Sequence, residues 1–221
     1  GKKFVNYWMH NGFVTIDDEK MSKSLGNFFT VRDILAQYRA ESLRFLLLGS
    51  HYRSPLSYSN QQLQEADTAL TRLYTSLRAV SALSATAPTP LAEAEMAQQQ
   101  FFKAMDDDFN TPEAIAVLFD LTSQINRLLP AQPEAAGVLG AKLKQLGGIL
   151  GLLQADPAQF LQQAAPATNG LTHAEIEQLI QERKNARSAK NFAEADRIRS
   201  QLTQAGIVLE DTASGTLWRR S

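Results

Sequence analysis

Apolar residues recur at steps of three and four through the middle of the chain, the pattern of amphipathic helices. Leu63, Ala66, Leu70, Leu73, Leu77 and Val80 form one such stripe, opened by Ser59 and Gln62 as a capping box. Residues 85–90 interrupt it with Ala-Pro-Thr-Pro, and a further helix carries Met96, Phe101, Phe102 and Met105. Thr111 and Pro112 read as a cap followed by proline at the first helical position, with Ile115, Leu118, Phe119, Thr122 and Ile125 on one face. Pro130 and Pro133 precede a last stripe of Leu139, Leu143, Leu146, Leu150 and Leu153. The spacing predicts an antiparallel helical bundle over 59–154, in a domain reaching 163.

The two ends differ from this middle. Phe13, Val14, Thr15 and Ile16 follow the turn dipeptide Asn11-Gly12 and read as a strand. Residues 17–27 are a polar loop. Thr30 with Asp33 caps a helix that carries Val31, Ile34, Leu35 and Tyr38 and continues through Leu43 and the run 45–48. That run is apolar nearly all round, which predicts burial, and Gly49 and Ser50 end the helix. Residues 164–170 (Ala-Ala-Pro-Ala-Thr-Asn-Gly) read as a linker. Beyond it, Thr172 and Glu175 open a helix to about Lys190, and Asn191 and Glu194 open another that Gly206 closes. Residues 207–209 and 216–218 flank Ala-Ser-Gly as a terminal β-hairpin. The expected class is mainly α: a strand and loop at 1–58, the helical bundle at 59–163, the linker, and a small α/β unit at 171–221.

Composition narrows the chemistry. None of the 221 residues is cysteine, and the three histidines lie far apart. A disulfide framework, a thiol nucleophile and a cysteine- or histidine-built metal site are therefore not expected within the chain. No 18-residue apolar run or cationic leader pattern occurs, so neither a membrane span nor a signal peptide is expected. The net charge of −1 conceals an uneven distribution. Residues 1–58 carry eight basic and five acidic residues, 59–170 carry six and eleven, and 171–221 carry eight and seven. That describes ordinary fluctuation as well as a basic front that meets a polyanion. The opening Gly-Lys-Lys-Phe-Val-Asn-Tyr-Trp lacks an initiator methionine and is already aromatic-rich. It reads as a cut through a structured region, the alternative being a processed terminus.

Lys20, Met21, Ser22, Lys23 and Ser24 stand in the first polar loop. Two lysines three residues apart can converge on one polyanion, with serine hydroxyls and backbone N–H groups as further donors. Such a loop can hold a triphosphate while its α-phosphate is attacked and charge builds on the departing pyrophosphate. Composition alone describes a solvated surface loop equally well. The five-residue string resembles, letter for letter, the KMSKS loop of class I aminoacyl-tRNA synthetases, and it follows a strand as it does in that family.

The flanks resemble bacterial cysteinyl-tRNA synthetases: 9–14, 20–33, 44–47, 50–54, 105–112 and the ending at 206–219, with 84–100 and 154–170 the weakest stretches. The resemblance implies a C-terminal portion of a cytoplasmic, monomeric cysteine–tRNA ligase. It implies ATP with magnesium, cysteine and tRNA(Cys) as the reactants and partners of the full enzyme. It also implies a zinc and a HIGH-type motif, neither of which this chain contains. Lys20 and Lys23 would assist adenylate formation, with Lys23 closer to ATP. The segment 28–58 would lean on the inner side of the tRNA, the bundle would be the anticodon-stem domain, and 171–221 would read the anticodon.

In that last unit Arg183, Lys184, Arg187, Asp196, Asp211, Trp218, Arg219 and Arg220 are the polar and stacking candidates. The resemblance favours Arg187, Asp196, Asp211 and Trp218 as anticodon contacts. Each has a plainer alternative: Trp218 as core, Asp196 paired with Arg199 on its own helix, Asp211 as the start of the hairpin turn. Asp106, Asp107 and Asp108 fit capping better than a magnesium site. His51 and Arg53 suit a tRNA phosphate or an ordinary surface loop. Two other functions stay open: a stand-alone tRNA-binding module, and the cysteine ligase of mycothiol synthesis, which has no use for an anticodon reader.

Overall fold

The computed structural model describes residues 2–16, 30–83, 91–163, 170–212 and 215–220, together with the backbone of 19–20. By contacts the chain divides into two compact units, Gly1–Pro157 and Ala158–Ser221.

In the first unit, strand β1 (Val14–Ile16) pairs antiparallel with β2 (Glu19–Lys20) and parallel with β3 (Leu56–Tyr58), giving the order β2-β1-β3. Only β1 is legible in the sequence. The other two strands are two and three residues long, too short to show a period, and exist because β1 offers them a ladder. Gly12 is required where the chain enters β1. Its N–H donates to the Tyr52 carbonyl at 2.7 Å, and a Cβ there would run into the Ser54 backbone.

The expected helix over 30–48 is two helices, α1 (Val31–Leu35) and α2 (Ala40–Leu48). Thr30 and Asp33 form the complete capping box at the first. Arg39 is extended (φ −68°, ψ 140°) and starts the second. The break lets Ile34 and Tyr38 pack beside Leu43 and Leu46 on Ile16, Tyr58 and Leu63. Burial along α2 is one-sided: Leu43 and Phe45 are buried, whereas Leu47 is half exposed.

The bundle consists of α3 (Asn60–Val80), α4 (Ala92–Asp106), α5 (Thr111–Leu128) and α6 (Pro133–Ile149). Helix α3 packs on α2, α5 and α6, and α4 on α5 and α6. Leu63, Leu70, Leu73, Phe101, Leu118, Leu121, Ile125, Leu139 and Leu143 are all fully inaccessible and form the core, whereas Met96 and Phe102 on α4 are exposed. Two expected caps change in detail. Ser59 accepts from the Gln62 N–H, but Gln62 answers through the Ser59 hydroxyl rather than its backbone. Asn110, not Thr111, caps α5 by accepting from the Glu113 N–H, because Asp108 and Phe109 turn the chain in the left-handed region (φ 54° and 55°). Leu153 lies beyond α6 at φ 62°, and is buried there rather than on the helix.

One carboxylate ties these parts together. Glu41, in the first turn of α2, accepts from the Leu153 N–H at 2.7 Å and from the Tyr74 hydroxyl at 2.9 Å. Tyr74, fully buried on α3, in turn accepts from the Ala155 N–H at 3.3 Å. Burial first and the neighbouring Glu41 second push the Tyr74 phenol well above its usual range, so it stays a donor.

The second unit holds α7 (Pro157–Gln162), α8 (His173–Ser188), α9 (Phe192–Gln204), β4 (Ile207–Thr212) and β5 (Gly215–Arg220). Thr172 and Glu175 form the predicted capping box, and Asn191 caps α9. The strands pair antiparallel with Leu209 opposite Trp218 and Asp211 opposite Thr216. Ile176, Ile198, Leu202, Ile207 and Trp218 form the core. Helix α7 was not visible in the sequence, and the short stretch Phe160–Leu161 buries itself there. Among the described residues no helix is long and apolar enough to cross a membrane.

Tyr74→Phe leaves Glu41 one donor short and is expected to lower the unfolding free energy by about 1–3 kcal/mol in urea titrations. An unchanged midpoint would show that the Leu153 N–H alone satisfies the carboxylate.

Candidate nucleic-acid interface

The lysine- and serine-bearing loop starts from the small sheet. Lys20 closes β2 opposite Thr15, so β1 and β3 set the point from which the loop departs. Met21, Ser22, Lys23 and Ser24 lie outside the described residues, as does the Lys20 side chain.

The candidates His51 and Arg53 meet the acidic triplet. Arg53 donates from Nε and Nη2 to the two carboxylate oxygens of Asp108, the second at 3.0 Å, and the Tyr52 hydroxyl donates to Oδ1 at 2.7 Å. His51 Nδ1 accepts from the Arg53 N–H at 3.3 Å, which leaves Nε2 to donate to the Asp108 carbonyl at 3.1 Å. The Arg53 guanidinium, then the Tyr52 hydroxyl, hold the Asp108 carboxyl down at about 2. Asp108 is therefore a latch between the loop after α2 and the α4–α5 corner. Arg53 spends its fork on that latch while its side chain stays 65% exposed. No group of three or more His, Asp or Glu side chains placed to hold a metal occurs among the described residues.

The C-terminal unit gathers most of its polar candidates. Strand β4 and helix α8 meet at Asp211. Arg183 approaches it with both Nη atoms, at 3.0 and 2.9 Å, and Arg187, one turn further on, reaches it at 3.2 Å. Thr216, its cross-strand partner, donates to Oδ1 at 2.8 Å. Arg183 first and Thr216 second hold the Asp211 carboxyl far below the usual carboxylate range. The same pairing keeps Arg183 charged although it is buried, and Asp196 on α9 adds a smaller attraction. Asp196 itself is exposed.

Trp218 is elsewhere. It is 1% exposed; its indole N–H donates to Glu177 Oε1 at 2.6 Å, and its ring meets His173 edge-on at 5.3 Å. The free chain thus offers no face of Trp218 to a base; the ring lies on the same face of β5 as Thr216, packed beside the Asp211 cluster. Of the base-contact candidates, Arg187 and Asp211 come into contact, Asp196 lies beside their buried partner Arg183, and Trp218 is core. Thr216 and Glu177 escaped the sequence reading because only strand register and helix packing show what they touch. Arg183 stood among the candidates, and its four-residue step to Arg187 was the visible sign that both face one way.

Three family profiles match the chain in succession. Residues 1–68 match the class I (C) tRNA synthetase catalytic domain, 100–154 the DALR domain, and 169–219 the cysteinyl-tRNA ligase anticodon binding domain. The cysteine–tRNA ligase of Methylococcus capsulatus is 59% identical over 222 residues, covering 100% of this chain and 47% of that protein. That of Thioalkalivibrio sulfidiphilus is 55% identical over 217 residues, covering 98% and 46%. The chain belongs to the cysteine–tRNA ligase family. It spans about half the length of these relatives and matches their C-terminal portion. Among solved structures, the Agrobacterium radiobacter K84 LeuRS–tRNA–LeuAMS ternary complex contains a chain of similar fold. It has a TM-score of 0.53 and 19% identity, covering 90% of this chain and 25% of that one.

Asp108, the last of the acidic run, thus has a structural use, and its pH dependence follows. A carboxyl depressed from an unfolded value near 4 contributes stability above that pH and loses it as pH falls toward about 2. The stability difference between the parent chain and Asp108→Asn should shrink across that window in denaturant titrations. A difference constant from pH 6 to pH 2 would mean the latch carries no ionic contribution.

Proposed function

We propose that the chain is the ATP-loop and tRNA-engaging portion of a cysteine–tRNA ligase, an enzyme that activates cysteine with ATP and transfers it to tRNA(Cys). The observation that carries this is the order of the three family profiles, catalytic, DALR and anticodon-binding, along one chain. The tRNA-free alternative within reach of the sequence, a mycothiol-type cysteine ligase, gains nothing from an anticodon-binding unit at 169–219.

In this reading Lys20 and Lys23 stabilise charge on the ATP phosphates as pyrophosphate leaves, with Met21, Ser22 and Ser24 completing the loop. Magnesium would accompany the ATP rather than occupy Asp106–Asp108, since Arg53 and Tyr52 already fill the Asp108 carboxylate. Zinc does not fit this chain, which has no cysteine and no metal-holding cluster among the described residues. The cysteine pocket and any zinc therefore belong to the rest of the ligase. The segments at 1–58, 59–163 and 171–221 act as the end of the catalytic domain, the anticodon-stem domain and the anticodon reader, joined by the linker at 164–170. Arg187, Asp196 and Asp211 form the base-reading wall, supported by Trp218. The enzyme works as a cytoplasmic monomer.

The division of labour is testable in the full-length ligase. Lys23→Ala should slow ATP–pyrophosphate exchange on the order of 10²-fold while tRNA(Cys) affinity stays within about twofold. An unchanged exchange rate would remove Lys23 from the reaction. Loss of tRNA affinity instead would make it an RNA contact.

A further inference from the structure

Asp211 has two carboxylate oxygens and about four places at which they can accept. All four are occupied within the protein. Oδ1 accepts from Arg183 Nη1 and Thr216 Oγ1, and Oδ2 from Arg183 Nη2 and Arg187 Nη1. Yet the carboxylate is not buried: its side chain is 49% exposed. A saturated acceptor at the surface can take a new donor only by giving one up.

The four donors are not equally easy to release. The Arg183 side chain is 8% exposed, and withdrawing its fork would strand a cation inside the unit. Thr216 is the residue directly opposite in the hairpin, so its hydroxyl is placed by the strand ladder. Arg187 makes the longest of the four contacts, 3.2 Å, through a single Nη, and its side chain is 54% exposed. A guanidinium that exposed swings into water at small cost.

We infer that Arg187 is an exchangeable cap on Asp211, and that Arg183 and Thr216 are the positioning residues that keep the carboxylate aimed when the cap leaves. This rests on the anticodon reading proposed above. The ligand chemistry is a single-stranded RNA base whose edge presents one N–H beside acceptors. Oδ2 takes the N–H in the place Arg187 vacated, and the freed Arg187 fork turns to the acceptors. With Arg183 holding one position on each oxygen, and Thr216 a second on Oδ1, Asp211 has room for one base N–H and not two. The free protein thus keeps both reading groups satisfied by each other, and a base must supply partners for both to open the pair. A base edge lacking either partner leaves a carboxylate or a guanidinium unpaired, which is where discrimination arises.

The test uses the 221-residue chain with an anticodon stem-loop RNA of tRNA(Cys) and the same stem-loop with each anticodon base replaced in turn. The quantity read is the ratio of affinities, matched over replaced. Arg187→Ala should reduce the ratio about tenfold with little change for the replaced loops. Arg183→Lys keeps the charge but not the fork. It should reduce the ratio by a similar factor while the affinity for replaced loops stays near that of the parent. If that variant does not fold, Thr216→Val serves, since it removes one fixed donor at an exposed edge. Nitrogen-detected NMR of the Arg187 side chain should show its resonances shift when the matched RNA is added, while those of Arg183 stay put. An unchanged ratio in Arg183→Lys and Thr216→Val, or unmoved Arg187 resonances in the complex, would overturn the exchange while leaving anticodon reading intact. A parent chain that binds all the loops equally would overturn both.

Discussion

Glu41 is the point at which the first unit is held together. It stands in the first turn of α2, where the helix dipole favours an anion, and collects donors from two other parts of the chain. A buried tyrosine hydroxyl without a partner is costly, and so is a buried backbone N–H. Tyr74 and the Leu153 N–H meet both needs at one carboxylate, and Tyr74 passes the arrangement on by accepting from Ala155. The left-handed turn at Leu153 is thereby held against α2 and α3 rather than left to follow α6. Arg39 and Ser42 repeat the connection one step away through Asp67. Since α2 also packs through Leu43 on Ile16 and Tyr58, strands β1 and β3, beside which β2 and Lys20 pair, are joined to α2 by apolar contact, and Glu41 joins α2 to α3.

Asp211 uses the same chemistry to a different end. Both carboxylates are crowded with donors, and both organise three segments of chain. What separates them is access. The donors on Glu41 come from a wholly buried phenol and a backbone amide, neither of which can leave without unfolding. Asp211 keeps two donors of that fixed kind and one, Arg187, that is 54% exposed. Asp108 is a third case: its partners are exposed, but all of them come from one tight loop, and two are fixed by stacking of His51 on Tyr52 at 4.9 Å. A polar network reads as structural or as functional according to whether any one of its members can depart alone.

The helices and most of their caps were legible because they are written in local spacing: stripes at three and four, and capping pairs three residues apart. Features set by a distant partner were not. Strand β3 exists because β1 lies beside it, the break at Arg39 because Tyr38 and Leu43 share one apolar cluster, and the cap shifts from Thr111 to Asn110 because Asp108 is drawn to Arg53. The site divides the same way. That Arg187 and Asp211 carry polar chemistry can be read from residue type, but that they neutralise each other spans 24 positions and needs the hairpin to fold back on α8. Trp218 shows the same limit from the other side. An indole is as suited to a core as to a base, and in a unit this small the core has few other large side chains to use.

The near balance of charge in the C-terminal unit then acquires a meaning. Four of its eight cations are held by carboxylates: Arg183 and Arg187 by Asp211, Arg197 by Glu194, Arg219 by Glu210. Those four, held internally, add little to counterion release, the contribution that makes nucleic-acid binding strong but indiscriminate. What remains is the exchange of an internal partner for one on the RNA, which is close to neutral in energy for a fitting base and unfavourable for any other. Internal pairing weakens the attraction to nucleic acid in general, and for that reason it sharpens the distinction between one base and the next.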